Sequence, residues 1–118
     1  MIVAELISRI KLAPQTVEFN DVIRTIEDHF TYQPTRFSNG LDEHKVINEV
    51  GSNEGSCKIF AFAQLSGLAP DETLACFGTY YRNDVLKHPE GNDHMNIRQF
   101  MQYGWPGIQF DGQALKEK

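Results

Sequence analysis

A chain of 118 residues is the length of one domain and buries a core without disulfide or metal staples. Its formal net charge of −5 excludes the broad basic face that non-specific nucleic-acid binding needs. Two cysteines without a CxxC pair, and no apolar run near the ~20 residues of a membrane span, point to a reduced, cytoplasmic-type protein with no disulfide and no membrane segment.

The opening MIVAELISRIKL is broken by Glu5, Arg9 and Lys11 and lacks the plan of a secretory signal. Val3, Leu6, Ile7 and Ile10 recur at helical spacing, which predicts an amphipathic helix ending before Pro14. A second helix is expected over 17–30, capped by Thr16, with Phe19, Val22, Ile23, Ile26 and Phe30 on its buried face. TYQPTRFSNG then reads as a short strand entering a turn, and HKVINEV fits a strand and a helix equally.

Beyond the loop at 51–56, KIFAFAQL is apolar nearly all round, so a central buried helix is expected there. It should stop at Gly67, and Pro70 should open a helix carrying Leu74, Phe77, Tyr81 and Val85 as far as Pro89. Asn92 or Asp93 is expected to cap a last helix that buries Ile97, Phe100 and Met101 and stops at Gly104. GIQFDG mirrors RFSNG, so Ile108–Phe110 and Thr35–Phe37 are expected to pair. Residues 1–118 therefore predict a single helix-rich α+β domain with a small antiparallel sheet.

The stretches NEGSCKIFAFAQL, LACFGTYYR and NDHMNIRQFMQYGWPGIQF, together with FTYQPTRFSNG, carry a resemblance to the HopJ type III effector family. It spans nearly the whole chain after the first helix. It implies a small bacterial protein of a family named for effectors that plant pathogens inject into host cells. Its expected location is then the bacterial cytoplasm, with translocation into a host cell as the effector role. The resemblance supplies no reaction.

The residues themselves offer two chemistries. Cys57 falls in the first turn of the central helix, beside Lys58, and both a helix start and a cation favour a thiolate. His94, next to Asp93, falls at another helix start. If the two ends meet, Cys57 is a nucleophile, His94 its base, and Asp93 or Asn96 the orienting group of a thiol hydrolase or transferase. Against this, cysteine often packs as a small apolar residue, and Cys76 within LACFG reads as core.

In the second chemistry the free N–H groups of the same helix starts face an anion. Asn53 and Ser56 in the loop, with Lys58, Arg82, Asn96 and Arg98, would complete a pocket for a small anionic ligand, and Trp105 would be core or pocket wall. His88, Glu90, Asp93 and His94 lie close in sequence but lack a dense metal-ligand pattern, so neither a metal nor another cofactor is expected. AFAQLSGLAPDETLACF has helix-turn-helix spacing through Ala63 and Gly67, yet its second helix opens Pro-Asp-Glu, which favours an ordinary helical hairpin. The leading expectation is a small binding or interaction protein, with a small anion or a host protein as partner. The alternative is an enzyme using Cys57 and His94.

Overall fold

The run Ile59–Ala63 offers no polar face, and every residue in it is buried. In the computed structural model, which describes all 118 residues, it belongs to helix α3 (Glu54–Leu65), around which the other elements pack. Phe60 meets the rings of Phe37, Phe77, Phe100 and Trp105 at centroid distances of 5.9, 5.5, 5.0 and 6.4 Å, and Phe62 meets Phe30 at 5.9 Å. No helix is long and apolar enough to cross a membrane.

Helix α1 (Val3–Leu12) buries Leu6 and Ile10, as its spacing predicts. Thr16 does not cap α2. Pro14 restarts the chain as a 3₁₀ turn over Pro14–Thr16, and the Thr16 hydroxyl donates back to the Ala13 carbonyl at 2.7 Å. Helix α2 (Phe19–His29) thus begins later than expected and buries Val22, Thr25 and Ile26.

The segment TYQPTRFSNG supplies two strands instead of one. Strand β1 (Phe30–Tyr32) precedes Pro34, which cannot donate to a ladder, and β2 (Phe37–Asn39) follows it in a different sheet. Strand β2 lies between β3 (Val46–Asn48) and β4 (Gln109–Phe110), both antiparallel to it. Phe37 opposes Phe110, and Ser38 opposes Gln109, so the expected pairing of the two turn-flanked segments forms. A second antiparallel pair joins β1 to β5 (Leu115–Glu117). The architecture is α+β, with two small sheets where one was expected.

The helix opened by Pro70 does not run on to Pro89. Helix α4 (Pro70–Ala75) gives way at Gly78, whose φ of +60° suits glycine and whose Cβ, if present, would lie 2.8 Å from the Phe19 nitrogen. The chain resumes as a π-helical turn, Tyr80–Val85, in which the Leu86 N–H reaches the Tyr81 carbonyl at 3.0 Å. Tyr81 is half-buried against the core, while Tyr80 is left 43% exposed. Helix α5 (Met95–Tyr103) buries Ile97 and Phe100 and ends at Gly104. Met101, expected in the core, is exposed. The cap position is His94 instead of Asn92 or Asp93, because Asp93 is held by Arg98.

Candidate functional site

Helices α3 and α5 both start from a residue in the left-handed region, Asn53 and His94, each with φ of +50°. Neither side chain caps its own helix. Asn53 instead donates from Nδ2 to Asn48 Oδ1 at 2.8 Å, and His94 Nε2 lies 3.1 Å from Asp84 Oδ2. The backbone N–H groups of Glu54, Gly55, Ser56, Met95 and Asn96 are therefore left without a protein acceptor.

Both helix starts open into one cleft of about 480 Å³. Asn53, Gly55 and Ser56 line one side, His94, Met95, Asn96 and Ile97 another, and Phe19, Val46, Phe77 and Tyr80 complete the walls. A buried carboxamide cluster ties the α5 start to the three-stranded sheet. Asn96 Nδ2 donates to Asn48 Oδ1 at 2.8 Å, while Asn96 Oδ1 accepts from Asn39 Nδ2 at 3.0 Å and from Asn48 Nδ2 at 3.1 Å. Asn39 Nδ2 also donates to the Asn96 carbonyl at 2.8 Å. Such a network fixes the relative position of two elements when its members are satisfied, and here only Asn39 Oδ1 lacks a partner.

Of the residues singled out in the sequence, Asn53, Ser56, His94 and Asn96 come together at this cleft. The others are not brought to it. Cys57 is 1% exposed, and its thiol faces the Thr35 carbonyl at 3.5 Å, with Tyr32 alongside. Burial, the largest influence, pushes that thiol up, and it outweighs the lowering by Tyr32, Thr35 and Lys58. The partners of His94 are Asp84 and, at 4.0 Å, Asp93, so Cys57 and His94 form no nucleophile–base contact.

The three cations are engaged elsewhere by partners far away in sequence or wrapped around them. Lys58 pairs with Glu27 at 3.2 Å and sits 4.8 Å from the Tyr32 ring centroid. Arg82 donates to the Pro14 and Val17 carbonyls at 3.3 and 3.0 Å, and so fastens the α1–α2 link. Arg98 donates to the carbonyls of Asp93, His88 and Pro89 at 2.6, 2.9 and 3.4 Å and to Asp93 Oδ1 at 2.7 Å. That last bond holds the Asp93 carboxyl below its ordinary range. Trp105 donates from Nε1 to the Leu68 carbonyl at 3.0 Å and packs on Phe60 and Phe100, as core. No group of three or more His, Cys, Asp or Glu side chains is placed to hold a metal ion.

Sequence reasoning passed over Phe19 and Asp84 as site residues. Phe19 reads as an ordinary core position at helical spacing, and only the glycine at 55 hints at close approach: a Cβ there would lie 2.9 Å from the Phe19 ring. Tyr80 and Tyr81 read from the sequence as core or pocket wall, with one of the two facing the interior, and the π-helical turn that presents Tyr80 to the cleft has no periodicity signal.

Three comparisons bear on this geometry. The model of the HopJ type III effector protein family matches residues 3–115. The crystal structure of VPA0580, a protein of unknown function, superposes with a TM-score of 0.95 at 46% identity, covering 100% of this chain and 95% of that one. No curated protein matches the chain. A family match over nearly the full length, and a solved fold of the same size and topology, establish that the chain belongs to the HopJ type III effector protein family.

Proposed function

We propose that this HopJ family member is a small binding protein whose cleft at the starts of α3 and α5 takes the polar or anionic end of its ligand. The observation that supports this reading is the convergence of two uncapped helix starts on one cleft, with Ser56, Asn53 and Asn96 beside them. Unpaired N–H groups at a helix start attract negative charge, and two such starts reinforce each other. The thiol-enzyme alternative finds no such support, because Cys57 and His94 have separate partners and both cysteines are buried. Family membership favours an effector that leaves a bacterial cytoplasm for a host cell. A translocation reporter fused to the chain checks that step.

Calorimetric titration with phosphate, sulfate and small carboxylates tests the cleft. Ser56→Glu is the informative variant: a carboxylate in the first turn favours the helix while supplying its own negative charge to the cleft. Saturable binding by the parent protein at millimolar anion, lost in Ser56→Glu with the melting temperature kept or raised, is the expected result. Equal binding by both proteins puts the anion elsewhere and overturns the reading.

A further inference from the structure

The walls of the cleft say more about its ligand than its polar floor does. No Lys or Arg lines it, since Lys58, Arg82 and Arg98 are all turned to other partners, and Asp84 stands behind His94. A multiply charged anion would have its charge only partly met there. The aromatic side is unusually well fixed. Tyr80 is 43% exposed, yet its ring is bracketed by Phe19 edge-on at 5.1 Å and 76° and by His94 at 5.4 Å and 37°. Phe19 in turn lies against Gly55, where no Cβ intervenes. The backbone beneath Tyr80 is the π-helical turn, a distortion frequently found where a side chain serves a site. Among the other lining residues, the Ser56 hydroxyl has no hydrogen-bond partner in the protein, and Met95 is 44% exposed, a soft side chain suited to a ring edge.

Resting on the reading of this cleft as the binding site, we infer that its ligand presents a planar aromatic ring with no more than a single negative charge. The ring packs against the exposed part of Tyr80 while a polar substituent bonds to Ser56 and Asn53. A pre-positioned aromatic wall facing a few polar groups is the usual make-up of a small-ligand pocket. An exposed tyrosine held by two other rings is ordered before a ligand arrives, so contact with its exposed part carries little ordering cost. The same chemistry is presented by a free aromatic acid or amide and by a peptide that ends in an aromatic residue.

Calorimetry with five probes separates the terms. Benzamide has the ring without charge, benzoate has both, cyclohexanecarboxylate has the charge without a π face, and inorganic phosphate has charge alone. The tripeptide Gly-Gly-Phe stands for a chain end, and its affinity relative to benzoate tells the two sources apart. Benzoate and benzamide are expected to bind more tightly than cyclohexanecarboxylate and phosphate. Tyr80→Leu should weaken benzoate by about three- to tenfold in protein that is still folded at the titration temperature, with Tyr80→Phe near the parent. Cyclohexanecarboxylate binding as tightly as benzoate, or no effect of Tyr80→Leu, overturns the inference. Binding of phosphate alone, lost in Ser56→Glu, removes the ring but leaves the cleft reading intact. No binding by any probe at millimolar concentration removes both.

Discussion

The neighbours of Cys57 settle its environment more firmly than its place at a helix start does. A helix start, an adjacent lysine and the hydrogen bonds with Tyr32 and Thr35 all favour a thiolate, but burial in the core outweighs them, and the thiol is pushed up. Cys76 is further inside, and burial raises it to about 12 from an ordinary 9.0. Native protein should therefore resist an alkylating probe near neutral pH, with labelling of both thiols following unfolding by denaturant. Rapid labelling of Cys57 in the folded state would return it to the list of reactive residues. A raised thiol adds stability that is fully present below its unfolded value and is lost as pH climbs toward the folded one. Stability should accordingly fall from pH 9.0 toward about 12, with a flatter fall in Cys76→Ala. At the acid end the sign reverses. Arg98 depresses Asp93, so that pair contributes above the ordinary 3.8 and fades as pH drops below it. Urea unfolding across this range should show a shallower acid loss in Arg98→Gln than in the parent. The core reading of the cysteines was available from residue type. The engagement of the arginines was not, because Arg82 reaches back to Pro14 and Val17, and no local pattern encodes such a distance.

At the level of elements, apolar spacing located the helices well wherever a helix has one buried face or is buried all round. The central position of α3 follows from Ile59–Ala63 alone, and Phe60→Ala should cost about 3–5 kcal/mol by chemical denaturation, since four other rings close around it. Spacing failed where backbone geometry decides the outcome. Leu74, Phe77, Tyr81 and Val85 keep helical intervals, yet Gly78 turns left-handed between them, and the chain restarts as a π-helical turn. Gly78→Ala should destabilise by more than the ordinary ~1 kcal/mol of a glycine exchange, because its methyl group meets the Phe19 backbone as well as an unfavourable φ. A melting temperature equal to the parent's would show that the α4 break tolerates a Cβ. Strand β5 escaped notice because LKE is short and polar, and it is a strand only because β1 is there to pair with it.

For the molecule as a whole, the acidic surface and the cleft are separate matters. Net charge bears on the surface as a whole, and it says nothing of two helix starts converging across some forty residues of sequence, near Asn53 and His94. A helix start before Cys57 and another near Asp93 were legible as candidates, but not the residues that lead them, Asn53 and His94. Their meeting depends on the buried Asn39–Asn48–Asn96 cluster and on Arg98 gathering residues 88–93, which only the folded chain assembles. The central claim is that this cleft is where the protein does its work. Mapping backbone amide shifts in ¹⁵N-labelled protein during titration with benzoate tests it most directly. The account predicts changes concentrated at Phe19, Asn53–Ser56, Tyr80 and His94–Ile97. Changes centred instead on Tyr32 and Cys57, or on the groove of Leu86, Arg98 and Met101, would contradict it.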